Sequence, residues 1–333
     1  MKTYDLGRRD FIKYGLISFL TVLSGCSISK KKLTLRGVSN TFPIEFINNL
    51  SSDWEYLPIK DIKSKNNPYD SALKEKTDLL ILNDGWISDL PLNSLKEIKA
   101  NNIRKNFSKQ ANTFIEGLEE DYKNRIFPLA GSPWVILCRN EESLALKNKN
   151  SWEVILSDSL SNQIVFPNSP YLLISIARKI GFGNDLSKIK SQAKSFDDRN
   201  ALNWVISGRA KSAILPLSSC VDNLMSDPRL SVIWPDQGSP LNWTVLASPS
   251  FSIEPFPSDL FDLLWRPTSL KSVIQKGFFP PTDFVDLPRQ NIKIPTRYKS
   301  IFLPEESLWN KCWSLPILSF GRKQDLALNW NNS

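Results

Sequence analysis

The residue whose neighbours most clearly predict a covalent reaction is Cys26, which ends the stretch Leu23-Ser24-Gly25-Cys26. An apolar residue and two small residues before a cysteine are typical of a lipobox, where the leader is cut and the cysteine is acylated. Several acyl chains on one cysteine give a firm membrane anchor, unlike one myristoyl group. We therefore expect residues 1–25 to be removed and Cys26 to carry the lipid.

An export signal precedes this cysteine. Arg8 and Arg9 open the block Arg-Arg-Asp-Phe-Ile-Lys, and an apolar stretch follows from Tyr14 to Leu23. That stretch is about half the roughly 20 residues that a membrane-spanning helix needs, so it predicts a cleaved leader and disfavours an uncleaved anchor. The arginine pair is typical of the twin-arginine address. We expect a periplasmic protein held to a membrane by its lipid.

The absence of histidine limits the catalytic chemistry that this chain can perform. It removes Ser-His-Asp and Cys-His nucleophile pairs, His-ligated zinc and the usual general base near neutral pH. The sequence also lacks a Gly-x-Ser-x-Gly elbow, a phosphate loop and an EF-hand pattern. We predict that the protein is not an enzyme and uses no metal or cofactor. A hydrolase or transferase without histidine would need two carboxylates facing one cleft.

Composition predicts a folded protein, because 41% of the residues are hydrophobic and 11 are tryptophan. The net charge is +8, of which residues 1–25 supply +2. Lysines 30–32 form a basic tether beside the anchor, while the other basic residues are scattered, so we expect no nucleic-acid partner.

Three cysteines remain after Cys26, namely Cys138, Cys220 and Cys312. Their spacing does not show which pair, if any, forms a disulfide.

Strand and helix patterns alternate along the mature chain. Strands are predicted at residues 33–38, 77–82, 134–138, 163–166 and 211–217, and helices at residues 43–50, 151–156, 171–180 and 196–208. Asp197 and Asp198 are predicted to cap the last of these helices. Alternation of this kind predicts an α/β fold with a parallel or mixed sheet, whose ligands bind in loops at the carboxyl ends of strands.

Several landmarks in order resemble the polyamine (spermidine/putrescine) type of periplasmic solute-binding protein, the receptors of ABC importers. The strongest is Leu-Leu-Trp-Arg-Pro-Thr at 263–268 with Lys-Gly-Phe-Phe-Pro at 276–280. Ser151-Trp152, Ala-Arg-Lys-Ile-Gly at 177–181 and Pro-Asp-Gln-Gly at 235–238 match further landmarks. The resemblance covers nearly the whole mature chain, from Leu33 to Pro288.

The resemblance implies a two-lobed type II fold in which the chain crosses between the lobes twice, near residues 130–134 and 238–245. The first lobe would comprise residues 33–132 and 245–333, the second residues 133–244, and the C-terminal tail would be able to pack across both. Residues 26–32 would be the tether. A solute held in the cleft would stabilise a closed state by hinge motion.

The resemblance also places the candidate ligand-binding residues, which offer aromatic faces and neutral polar groups, with one carboxylate among them. They are Asn40, Thr41, Asp84, Trp86, Ser132, Trp134, Asn168, Tyr171, Ser218, Gln237 and Trp243. The family holds its ammonium groups with several carboxylates, and here those positions carry Asn168, Tyr171 and Gln237 instead. An ammonium without such partners would be costly to bury. The resemblance implies a small, polyamine-like polar solute, whereas the residues at these positions favour a different solute that is neutral or zwitterionic.

Competing structural roles exist for several of these residues. A buried tryptophan is usually part of a core, and an aspartate before glycine is often a turn residue, as at Asp84.

The leading hypothesis is a monomeric solute-binding lipoprotein that delivers a small molecule to an inner-membrane ABC permease. The alternative is a lipid-anchored scaffold or sensor protein that keeps this fold without a transported solute.

Overall fold

The computed structural model describes residues 32–39, 41–43, 46–47, 50, 52–59, 67–139, 150–183, 186–252, 260, 266–283 and 294–332. Arg8, Arg9, Cys26 and Asn40, with the predicted leader, therefore lie outside the described residues. Leu33–Ser333 form one compact unit. Within the described ranges, no helix is both long and apolar enough to cross a bilayer.

One part of the sheet is built from strands near the start of the chain. These are β1 (Leu33–Val38), β2 (Trp54–Ile59) and β3 (Leu79–Asn83), which are parallel in the order β2-β1-β3. β3 is almost fully buried, as its continuous apolar sequence predicts. Its neighbour on the other side is β10 (Pro240–Pro249), which runs antiparallel to it.

The long strand β5 (Ile126–Arg139) joins this part of the sheet to the next. Its first half pairs antiparallel with β10, from Ile126 to Pro133. Its second half pairs instead with β8 (Ser212–Pro216) and β9 (Leu230–Ile233). The sheet thus changes partners between Pro133 and Trp134. This is one of the two places where a crossing between lobes is predicted, and the division into lobes stays a prediction.

The remaining strands complete the order β2-β1-β3-β10-β5-β8-β6-β7. They are β6 (Ile164–Phe166) and β7 (Ala193–Phe196), which are parallel. The short strands β4 (Leu95–Lys96) and β11 (Trp313–Ser314) both pair with β10. The sheet is therefore mixed, as predicted from the alternation of strands and helices.

Helices cover the sheet. Their bounds in chain order are α1 Tyr69–Lys74, α2 Asn101–Arg104, α3 Lys109–Glu116, α4 Glu120–Lys123, α5 Pro170–Lys179, α6 Leu186–Ser191, α7 Ala201–Ile206, α8 Leu217–Ser226, α9 Pro267–Gln275, α10 Lys299–Phe302, α11 Glu306–Trp309 and α12 Phe320–Asn332. Short 3₁₀ helices span Asp84–Asp89, Leu92–Ser94, Trp152–Leu156, Asp158–Leu160 and Thr296–Tyr298.

Two hydrophobic clusters are built on opposite faces of the second half of β5 and its neighbours. Val135 and Leu137 belong to the larger cluster, whereas Ile136 and Cys138 belong to the smaller one. This separation follows from the alternation of side chains along a strand. The smaller cluster also contains most of the buried face of α5 and, near the end of the chain, Trp330.

Local sequence patterns predicted several elements correctly, including β1, β3, β6, β8 and α5. Ser169 caps α5 by accepting a hydrogen bond from Leu172 N at 3.4 Å. The helix predicted at residues 196–208 is wrong at its start, because Phe196 belongs to β7 and α7 begins at Ala201. Asp197 instead accepts hydrogen bonds from the N–H groups of Arg199 and Asn200, in the turn before α7.

Candidate functional site

Two cavities adjoin each other where β3, β5 and β10 approach the start of α5, and we call them cavity A and cavity B. Cavity A has a volume of about 390 Å³ and cavity B one of about 590 Å³. Both are lined by Asn83, Trp86, Trp134 and Asn242. Two of the three tryptophans predicted as ligand-binding residues, Trp86 and Trp134, therefore present surface to both cavities.

Asp84 supplies a carboxylate to cavity A. It is the first residue of the 3₁₀ helix Asp84–Asp89, directly after the buried strand β3, so its position is fixed by the sheet. Its Oδ2 accepts a hydrogen bond from the backbone N–H of Trp243 at 3.1 Å. Burial raises the pKa of Asp84 from 3.8 to about 7, although backbone hydrogen bonds oppose this shift. Among the described residues, no cation forms an ion pair with it.

An aromatic residue beside Asp84 forms part of the same wall. The Trp86 ring packs edge-on against Tyr69, with 6.1 Å between ring centroids. Tyr69 is itself buried, with 1% of its surface exposed, so one side of Trp86 is supported by the core. A tryptophan held in this way offers a fixed apolar face and a region of negative potential, which attracts cations and covers methylene groups.

The start of α5 lines the opposite side of cavity A. Asn168 and Tyr171, both candidate ligand-binding residues, contribute to it together with Ser169 and Pro170. The Asn168 backbone N–H donates to Asp198 Oδ1 at 2.9 Å, which fixes the turn before the helix. Burial raises the pKa of the Tyr171 hydroxyl, and nearby Arg178 opposes that shift. Tyr171 therefore stays a neutral donor or acceptor near neutral pH.

Cavity B is the more polar of the two. Thr41 and Ser218, both predicted, line it together with Asp198 and Arg199. The carbonyl of Thr41 accepts a hydrogen bond from Thr244 Oγ1 at 3.3 Å. Burial raises the pKa of Asp198, and the adjacent Arg199 acts in the opposite direction. An acidic and a basic residue are thus neighbours here.

Three predicted residues border neither cavity A nor cavity B. Ser132 is fully buried, and its hydroxyl accepts the backbone N–H of Ser218 at 3.0 Å. Trp243 is also fully buried: it stacks on Phe114 at 5.2 Å between ring centroids and donates through Nε1 to Ser314 Oγ at 2.8 Å. These two residues fix neighbouring backbone rather than border either cavity.

Gln237 is the third of these residues, and its side chain turns towards the 3₁₀ helix Trp152–Leu156. The amide oxygen accepts the backbone N–H of Trp152 at 3.2 Å, and the amide nitrogen donates to Ser151 Oγ at 2.5 Å. The ring nitrogen of Trp152 in turn donates to the carbonyl of Gly238 at 2.8 Å. The two sequence landmarks, Ser151-Trp152 and Pro-Asp-Gln-Gly at 235–238, therefore contact each other in the structure.

Several residues that line cavity A were not predicted from the sequence. Asn83 and Asn242 belong to β3 and β10, and their positions beside Asp84 and Trp243 could have indicated them. The C-terminal residues Leu315–Leu318 and Lys323 also line cavity A, and no local pattern indicates this. Within the described residues, no group of three or more Cys, Asp or Glu is placed to hold a metal ion.

The fold is that of the periplasmic binding proteins, with a central mixed sheet and flanking helices. A scan against protein-family models finds no match, and a search of the curated proteins finds no significant one. Solved structures, in contrast, are similar over almost the whole chain.

One such structure is the spermidine/putrescine ABC transporter substrate-binding protein PotD from Streptococcus pneumoniae. It has a TM-score of 0.66 at 13% identity, over 91% of this chain and 99% of that one. The TpPotD lipoprotein of Treponema pallidum has a TM-score of 0.65 at 12% identity, over 90% and 98%.

A third is the apo ferric ion-binding protein A of Pasteurella haemolytica, with a TM-score of 0.59 at 11% identity, over 91% of this chain and 95% of that one. Because these identities are low, the likeness is one of fold.

Proposed function

We propose that the protein is the solute-binding component of an ABC importer and holds a small polar solute in cavities A and B. The observation that carries this proposal is the arrangement at cavity A, where Asp84 lies beside two tryptophans at the end of a buried strand. A mainly apolar concavity with a few convergent polar groups is the usual form of a small-molecule site. The fold shared with substrate-binding proteins supports it.

The role in transport would require export and attachment beside a permease. The lipobox cysteine Cys26 and the pair Arg8-Arg9 support lipid anchoring after twin-arginine export. A structurally similar protein, from Treponema pallidum, is described as a lipoprotein. Metabolic labelling with a clickable fatty acid would test the anchor: Cys26→Ala should abolish the label, and Arg8→Lys with Arg9→Lys should leave the precursor uncut.

Solute binding is tested with the purified protein. Native mass spectrometry detects a co-purified solute, and thermal unfolding with a panel of small solutes detects binding, since a ligand at 100 times its Kd adds about 2.7 kcal/mol to stability. Trp86→Ala and Trp134→Ala should each abolish the thermal shift. Trp204→Ala is the matched control, because Trp204 lines a different cavity beside α7.

A second function is favoured by one observation, namely that residues 313–332, which we call the C-terminal segment, contribute to the wall of cavity A. A scaffold or sensor lipoprotein could use this segment to fill a cleft that no longer carries a solute. The two functions predict different results in the solute panel. Stabilisation by any small solute supports the receptor, whereas none across a broad panel, together with no co-purified molecule, supports the scaffold.

A further inference from the structure

The C-terminal segment begins by joining the sheet beside cavity A. Trp313 and Ser314 form β11, which pairs in parallel with Pro240 and Leu241 of β10. The Trp313 ring nitrogen donates to Ser175 Oγ on α5 at 2.9 Å. The segment is therefore fixed both to the central sheet and to the helix that lines the opposite side of the cavity.

α12 then passes from one side of cavity A to the other. Lys323 Nζ donates to the carbonyl of Gly85 at 3.4 Å and contacts Asp89 Oδ1 at 3.3 Å, both in the 3₁₀ helix Asp84–Asp89. Further along, Trp330 is buried in the smaller hydrophobic cluster, perpendicular to Phe196 at 5.8 Å between ring centroids. Contacts at both ends thus hold the helix across the cavity.

The segment supplies both an apolar wall and a charge. Leu315, Ile317 and Leu326 line cavity A, and so does Lys323. Asp84 and Lys323 are the charged residues among the described residues that line this cavity. The carbonyl that Lys323 contacts belongs to Gly85, the residue after Asp84, so the carboxylate and the ammonium belong to the same end of the cavity.

We infer that cavity A takes a zwitterionic solute, an amino acid with its ammonium on Asp84 and its carboxylate on Lys323, so that the C-terminal helix completes the site and sets its specificity. This inference rests on the proposed function. A buried ammonium needs a carboxylate partner and a buried carboxylate needs a cation, and cavity A offers one of each. Trp86 and Trp134, which also line cavity A, cover the methylene groups of the solute.

Lys323 also disfavours the binding of diamines. A solute with two ammonium groups would place its second charge near the Lys323 ammonium with no second carboxylate in cavity A. The like charges would repel each other, and the second ammonium would lose its hydration without compensation. The residue therefore selects by rejecting the wrong solute as well as by binding the right one.

Four probes of equal carbon length separate these possibilities: γ-aminobutyrate, putrescine, succinate and butylamine. Isothermal titration calorimetry and thermal unfolding of the purified full chain measure the affinity for each. Glycine, β-alanine and δ-aminovalerate vary the distance between the two charged groups. We expect an amino acid of this series to bind more tightly than putrescine and succinate by about 30-fold or more, as for a buried charge that loses its partner.

Variants assign the selectivity to individual groups. Lys323→Gln should weaken amino-acid binding by about 30-fold and should not weaken butylamine binding, whereas Asp84→Asn should weaken both. Arg322→Gln removes a charge from the neighbouring residue of the same helix, which does not line cavity A, and should change neither. Asp89→Asn breaks the ion pair of Lys323 but keeps its charge, so it should preserve the preference for the amino acid.

The following outcomes would overturn the inference. Putrescine binding as tightly as the amino acids, or an unchanged preference in Lys323→Gln, excludes Lys323 as the determinant. Binding of a different solute found by native mass spectrometry, with no binding of any amino acid in the series, keeps the proposed function and rejects the zwitterion. No binding of any solute rejects both.

Discussion

The carboxylate of Asp84 and the backbone N–H of Trp243 are 159 residues apart in the chain and form a hydrogen bond of 3.1 Å. This bond joins the carboxyl end of β3 to β10, the strand at the centre of the sheet. The bond fixes the Asp84 side chain, which lines cavity A, to a rigid part of the protein, because the Trp243 side chain is fully buried. Preorganisation of this kind reduces the entropy lost when a solute binds.

The raised pKa of Asp84 predicts that this group destabilises the unliganded protein as the pH rises. Its pKa is 3.8 in the unfolded chain and about 7 when folded, so the folded protein binds this proton more tightly. The contribution of Asp84 to the free energy of unfolding is therefore complete below about pH 4 and is lost as the pH rises through about 7. The total loss is a few kcal/mol at most.

Urea unfolding of the parent protein and of Asp84→Asn at pH 5 and pH 8 measures this effect. Asn keeps an acceptor for the Trp243 N–H but cannot ionise, so the variant should gain stability relative to the parent between these two pH values. Asp198, whose pKa is also raised by burial, is present in both proteins and cancels in the comparison. An identical pH dependence in the two proteins would contradict the prediction.

Gly238 is predicted to be essential for the position of the C-terminal segment. Its φ is +82°, and a Cβ there would overlap the backbone carbonyl of Lys311. Gly181 has a similar φ of +80° but no atom within 4 Å of a Cβ, which makes Gly181→Ala the matched control. We expect Gly181→Ala to cost about 1–2 kcal/mol from the positive φ alone.

Gly238→Ala should cost a further ~1–3 kcal/mol or more, because the backbone of residues 311–312 must shift. Denaturant unfolding gives both values. Equal losses in the two variants would mean that the close approach of Gly238 and Lys311 contributes nothing to stability.

Trp330 is predicted to hold α12 against the rest of the protein. Trp330→Ala removes the aromatic contact with Phe196 and opens a cavity in the smaller cluster. Helices held by few contacts open locally before the protein unfolds. Trypsin should therefore cut the variant after Arg322 and Lys323 faster than the parent, as mass spectrometry of the fragments would show.

Leu328→Ala provides the comparison for this experiment, because Leu328 lies on the same helix with 60% of its surface exposed. Its removal should leave the rate of cleavage unchanged. Equal acceleration in both variants would mean that the Trp330 contact does not hold the helix in place, because alanine has a higher helix propensity than either residue it replaces.

The buried thiols are predicted to be unreactive in the folded protein. Burial raises the pKa of both Cys220 and Cys312 to about 12, so almost no thiolate is present at pH 8. We expect labelling by a thiol reagent to be slow in buffer and rapid in denaturant. Peptide mass spectrometry identifies each labelled cysteine, and rapid labelling of either one in the folded state would contradict the prediction.

Several elements could be predicted from the sequence because their determinants are local. β3 is a continuous apolar run, and α5 begins with Ser169 and Pro170, a cap followed by a residue already suited to the first turn. The end of a buried strand is also a general position for a site, which is why Asp84 and Trp86 were predicted together. Both line cavity A.

Tertiary contacts decided the positions of several side chains that local patterns do not fix. Phe196 fits an amphipathic helix in the sequence, yet it belongs to β7 and stacks on Phe166 of the neighbouring strand at 6.1 Å between ring centroids. Trp243 and Gln237 have side chains suited to binding a solute, and their neighbours Ser314 and Ser151 hold them outside both cavities instead.

The sequence by itself determined the α/β alternation and predicts the export signal and the lipobox, because each of these depends on residues that are close together in the chain. The lack of histidine is likewise a property of the sequence alone. Only the tertiary structure placed Lys323 beside Gly85, which is 238 residues away. That contact depends on β11 joining β10 and on Trp330 entering the smaller cluster. Long-range packing of this kind leaves no periodic pattern near Lys323, so the positive charge at the same end of cavity A as Asp84 could not be predicted from the sequence.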